Sequence, residues 1–145
     1  YYVEIKLYDS DSNLLDQDTQ SFQLGILSGE IASLEATPEL FETGETIDIS
    51  LVFENLGTLP ITGTAVLEVQ SAEGLTVTGP VTHTLEGLAP GSPVEFHEAW
   101  DTSGVALGDY RVIGYVMYDA RSTGASTVAL TNLRRVYLPV ILRGF

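Results

Sequence analysis

Residues 44–57 read GETIDISLVFENLG. Ile47, Ile49, Leu51 and Phe53 fall at every second position, with Asp48 and Ser50 between them. Successive side chains leave a strand on opposite sides, so this pattern predicts one face in an apolar core and one in water. Gly44 opens the run, and Asn55, Leu56 and Gly57 close it with turn chemistry. Working outward from it, the inward members of the alternating runs give a predicted core of Ile49, Leu51, Phe53, Leu67, Phe96, Val112 and Val116.

Before this strand, VEIKLYD and SFQL flank the turn-rich DSDSN and read as a hairpin over 1–24, with Val3, Ile5, Leu7, Phe22 and Leu24 as its apolar set. Residues 25–30 read as a linker, and IASLEAT as a first strand ending at the bend of Pro38. After it, Ala65, Leu67 and Val69 alternate, and LTVTGPVTHTLEGL reads as two short strands split at Gly79-Pro80. PVEFHEAW points Val94 and Phe96 inward, with an irregularity near Glu98 before Trp100. DYRVIGYVMYD is a second long strand with Tyr110, Val112, Val116 and Tyr118 on one face; its Gly114 marks a place where a neighbour approaches closely. STVALTN closes the domain through Val128 and Leu130. Short strands at regular spacing without a helical period predict an all-β Greek-key β-sandwich of about seven or eight strands over 31–131. The hairpin precedes it, and a basic, apolar tail over 132–145 holds a C-terminal strand, with Val136, Leu138, Val140 and Leu142 at period two.

The chain has 145 residues and no cysteine, which excludes disulfides, a thiolate metal site and a cysteine nucleophile. Its net charge of −14 argues against a nucleic-acid partner, which needs basic patches. All acidic residues lie at or before Asp119, and Arg121, Arg134, Arg135 and Arg143 follow. The apolar run Val136–Leu142 is broken by Pro139 and far shorter than the roughly 20 residues of a membrane-spanning helix. The chain opens at Tyr1, inside a strand and without Met, as expected of a piece of a longer polypeptide. Val3-x-Ile5-x-Leu7-Tyr8-Asp9 with its return strand echoes Ile113-x-Tyr115-x-Met117-Tyr118-Asp119 with its own. On that reading the hairpin ends a preceding, similar domain.

Four stretches carry a family resemblance: PELFETGETIDI (38–49), VFENLG (52–57), LAPGSPV (88–94) and GDYRV (108–112). Over these the chain resembles the bacterial immunoglobulin-like modules of the CARDB type, and similarly the NEW3 type. The resemblance implies a non-catalytic module set in tandem with neighbouring domains of one polypeptide. Such a module is a spacer, adhesive or presenting unit of a bacterial secreted or surface protein, or an accessory of a hydrolase. The matching motifs are structural, so they specify a fold better than a function.

Candidate chemistry is sparse. His83 with Glu86, and His97 with Glu98, lack the spacing of a zinc site and read as strand histidines on the solvent face. Asp9, Asp11 and Asn13 match the first half of an EF-hand loop and are the calcium candidates. Leu14 and Gln20 stand where that loop needs Gly and Glu, so an Asx-rich turn without cofactor or metal is expected. No G-x-S-x-G elbow is present, and the many carboxylates define no unique pair, so no catalytic residue is assigned. Trp100, Tyr110, Tyr115 and Tyr118 are the candidates for a sugar-stacking platform. Exposed aromatics side by side on one sheet face would mark a carbohydrate- or protein-binding module; a solvated Thr/Ser/Glu face would mark a spacer. The apolar, acidic hairpin and the apolar, basic tail predict strand pairing between the termini, within one chain or across a homodimer.

Overall fold

The computed structural model describes residues 1–22 and 24–134. The predicted strand Val136–Leu142 and its pairing with the hairpin lie outside the described residues. The strands are β1 (Tyr2–Tyr8), β2 (Leu14–Ser21), β3 (Gly29–Thr37), β4 (Leu40–Phe41), β5 (Thr46–Asn55) and β6 (Ile61–Ser71). They continue with β7 (Thr76–Leu88), β8 (Pro93–Asp101), β9 (Gly108–Tyr118), β10 (Arg121–Ser122) and β11 (Ser126–Asn132). β1 and β2 form a hairpin by themselves, β3-β5-β8 form one sheet, and β4-β11-β9-β6-β7 form the other, with β10 on β9. The non-consecutive neighbours are the Greek-key crossovers of a β-sandwich.

The core lies between the two sheets. β5 supplies Ile47, Ile49, Leu51 and Phe53, all buried, against Leu67 and Val69 of β6 and Val112 and Val116 of β9. All seven predicted core residues are buried. At Gly114 the other sheet approaches closely: a Cβ there would stand 2.6 Å from Leu51 Cδ1 and 3.2 Å from Leu34 Cδ1. At one pole, taken as the upper, Asn55 is fully buried and holds two loops to the strand end. Its Nδ2 donates to the carbonyls of Leu59 (2.9 Å) and Leu88 (2.8 Å), and its Oδ1 accepts from Gly57 N (2.9 Å). At the other pole Phe41, Trp100 and Tyr110 pack with ring centroids 5.7–6.2 Å apart, and the Tyr110 hydroxyl donates to the Ala106 carbonyl (2.7 Å). That bond, from the start of β9 back to the preceding loop, is the tyrosine corner of immunoglobulin-like sandwiches.

Several local expectations are corrected. Residues Thr76–Leu88 are one strand, because β7 is a sheet edge and absorbs Gly79-Pro80 in a bulge opposite Leu67–Val69. No irregularity precedes Trp100: β8 pairs with β5 in unbroken register, and Phe96 and Trp100 are inward by plain alternation. The bulge in the first strand lies between Ile31 and Ser33. Gly29 and Glu30 belong to β3 and Asn132 to β11, so the sandwich runs slightly past both expected boundaries. In β9, Ile113, Tyr115 and Met117 are the outward residues and Val112, Gly114 and Val116 the inward row, while Val3, Ile5 and Leu7 of β1 are all exposed.

Phe53→Ala is expected to cost about 3–5 kcal/mol, since the ring is fully buried and its neighbours belong to both sheets. Urea unfolding of the two proteins measures it; a loss below about 1 kcal/mol would contradict the packing described.

Candidate functional site

The candidate residues do not converge. Trp100 and Tyr110 are buried at the lower pole, where the sugar-platform reading needs them exposed. Tyr118 faces inward at the upper pole, 5.8 Å from Phe53, and its hydroxyl accepts from Gly29 N at 2.9 Å. Among the aromatic residues of strands β3 to β11, Tyr115 alone lies on an outer face. Together with Thr82 it flanks Val66, which is buried. Ile113 and Met117 share that outer face with the polar Thr62, Thr64, Thr84, Glu68, Gln70 and Arg111. No row of aromatics stands there to stack on a sugar.

The outer face of the smaller sheet is acidic. Glu30 stands directly opposite Glu54, and Glu35, Asp48, Glu95 and Asp101 share the face, with no lysine or arginine on these three strands. Hydroxyl partners offset part of the repulsion. The Ser50 hydroxyl donates to Glu95 (2.6 Å), holding that carboxyl below its usual range with help from the charge of His97. Ser103 does the same for Asp101 through its side chain and its N–H. On the larger sheet the Thr76 hydroxyl and then Gln70 lower Glu68. Such a face is well solvated, and like charges on an edge strand such as β8 discourage pairing with another chain.

The histidines differ from each other. His97 is on the solvent face, 3.3 Å from Glu95. His83 is not: it belongs to the inward row of β7, its ring 5.6 Å from Phe96 and its Nε2 3.6 Å from Glu98 Oε2. Glu86 points to the opposite side of β7 and joins neither. The side cleft between β7 and β8 holds about 170 Å³ over Trp100, Ile49 and Val81. Ordinary ligand pockets are roughly 300–1,000 Å³, so the cleft is too small for an oligosaccharide. Among the described residues no three His, Asp or Glu side chains are placed to hold a metal ion.

Asp9, Asp11 and Asn13 form a closed turn. Asp9 Oδ1 accepts the N–H groups of Asp11 (2.9 Å) and Asn13 (2.8 Å), and Asn13 Nδ2 donates to Asp9 Oδ2 (3.0 Å). These bonds, the Asn13 side chain first, hold the Asp9 carboxyl below its ordinary range. Asp9 is thus the acceptor that closes this turn.

No family model matches the sequence, and no curated protein matches it. Solved structures do. A Paenibacillus cycloisomaltooligosaccharide glucanotransferase, complexed with cycloisomaltoheptaose, aligns at a TM-score of 0.57 and 18% identity, over 74% of this chain and 14% of that one. The CARDB domain of a Pyrococcus furiosus protein, in complex with di-metal ions, aligns at 0.51 and 15%, over 78% of this chain and 97% of the domain. A β-glucosidase of Listeria innocua in complex with glucose aligns at 0.54 and 12%, over 78% of this chain and 17% of the enzyme. The fold is a CARDB-like, immunoglobulin-type β-sandwich. At these identities the likeness concerns the fold alone. The chain spans only a small part of the two enzymes and nearly all of the CARDB domain.

A carboxylate lowered in the folded state contributes stability above its unfolded value and loses it as pH falls through the folded one. Amide protection at Asp11 and Asn13 is therefore expected to persist below about pH 4 and to vanish as Asp9 takes its proton. Hydrogen exchange against pH measures this. Millimolar calcium is expected to leave the melting temperature unchanged; a rise of several degrees would show a site that the turn does not predict.

Proposed function

We propose that the chain is a non-catalytic spacer and presentation module of a larger bacterial secreted or surface protein. The path of the chain carries this reading. The polypeptide enters the sandwich at the pole of Gly29, Asn55 and Tyr118 and leaves at the opposite pole, where Asn132 meets Phe41 and Gly108. β3 alone, nine residues, covers about 30 Å between them. A module entered at one end and left at the other adds its whole length to the separation of its neighbours. The threonine-rich and acidic outer faces favour a surface that stays solvated, and the buried aromatics serve the core. Neighbouring domains of the same polypeptide are the partners this arrangement implies, and the cell exterior is the location.

A second reading is an accessory module of a secreted hydrolase that binds carbohydrate or protein. It is favoured by the solved glycosidases and glucanotransferase whose chains contain a similar sandwich as a small part. The two readings separate on binding. In affinity electrophoresis through gels containing dextran, xylan or soluble starch, the chain is expected to migrate as it does without polysaccharide. Retardation by any of them, lost on Tyr115→Ala, would overturn the spacer reading in favour of the binding one.

A further inference from the structure

Three exposed aliphatic side chains gather at the lower pole. Leu75 (69% exposed), Leu107 (60%) and Val77 (39%) line one groove of about 480 Å³ between the β6–β7 turn and the loop before β9. Its walls are fixed by backbone bonds: Ser71 N donates to the Leu75 carbonyl (2.8 Å), and Ala72 N to the Asp109 carbonyl (3.0 Å). Ala106 also lines it, and its carbonyl accepts from the Tyr110 hydroxyl (2.7 Å) and from Asn132 Nδ2 (2.8 Å). The charged lining residues are Glu73 and Asp109. Arg111 reaches the neighbourhood of Gly74, but its guanidinium is engaged by Gln70 (3.0 Å). The volume falls within the roughly 300–1,000 Å³ of ordinary binding grooves.

The polypeptide leaves the sandwich beside this groove. Asn132 pairs with Gly108 and bonds the groove residue Ala106; exposed Arg134 comes two residues later. From β11 the sheet continues through β9 and β6 to β7. Neighbouring strands are about 4.8 Å apart, so the far wall is about 15 Å from β11, a distance spanned by about five extended residues. Residues 135–145, RVYLPVILRGF, supply eleven. They hold five aliphatic side chains, Val136, Leu138, Val140, Ile141 and Leu142, with Arg135 and Arg143 and no acid. Pro139 has no N–H, which seating among side chains tolerates better than a strand ladder does.

We propose that the groove of Leu75, Val77 and Leu107 is the seat of the chain's own C-terminal segment, residues 135–145. Apolar contact holds the segment, and its arginines face an acidic groove. A seated tail withholds the exposed aliphatic side chains of the exit end from other proteins. The inference is independent of the spacer reading and puts the tail at the lower pole, not on the β1–β2 hairpin.

Methyl nuclear Overhauser contacts in the 145-residue chain test this. Methyls of Leu75, Val77 or Leu107 are expected to meet those of Val136, Leu138, Val140, Ile141 or Leu142 within one molecule. Mixing labelled and unlabelled copies separates these from contacts between molecules, which would give the groove to a second copy and overturn the proposal. Tail methyls that meet Val3, Ile5 and Leu7 instead, or no residue of the sandwich, would overturn it too. The double variant Leu75→Ser, Leu107→Ser changes two exposed positions and is expected to lose the contacts; their persistence there would count against the groove. Should that variant unfold, deletion of residues 136–145 is the second arm. It is expected to shift the Leu75 and Leu107 methyl resonances and to leave that of buried Ile61, at the upper pole, in place. Unshifted Leu75 and Leu107 methyls would overturn the proposal.

Discussion

The inward row of β5 is the constraint on which the rest depends. Ile47, Ile49, Leu51 and Phe53 are buried, and their partners come from both sheets. Because side chains alternate, a slip of one residue would send the whole row to water and bring Asp48, Ser50 and Glu54 into the core. Burying unpaired carboxylates costs far more than the apolar contacts return. Once the register of β5 is set, β3 and β8 take theirs from it through the ladder. Leu51 then meets Gly114, where the absent side chain lets the second sheet approach.

What the sequence made legible follows the same physics. Period two in β5, β6 and β9 located the core, and Gly114 in β9 marked the close approach. Features set by tertiary partners were less visible. Trp100 and Tyr110 look alike on paper whether they stack on a sugar or on each other; the Ala106 carbonyl and Phe41 decide it. His83 sits among threonines, so its inward placement follows only from the β6–β7 register. Gly79-Pro80 resembles a strand break, and an edge position converts it into a bulge.

The same division explains why function is harder to read than fold. Most of the motifs that identify the sandwich have structural work to do. Asn55 and Gly57 hold the upper pole, and Tyr110 the lower. Pro38 stands where the chain passes from β3 in one sheet to β4 in the other. The outer faces of the two sheets carry many hydroxyl and acidic side chains, with the carboxylates of Glu68, Glu95 and Asp101 engaged by local donors. Like charges along the edge strand β8 discourage pairing with another chain.

The central claim is that the sandwich places its two connections at opposite ends. Because the chain has no cysteine, two introduced ones label it uniquely. Ala89→Cys in the upper β7–β8 loop and Leu133→Cys beyond β11 are both at exposed positions. Pulsed electron paramagnetic resonance between spin labels at these sites is expected to give one narrow distance distribution near 30 Å, roughly the length of a nine- or ten-residue strand. A distance below about 20 Å would place both ends on one side of the sandwich and contradict the account.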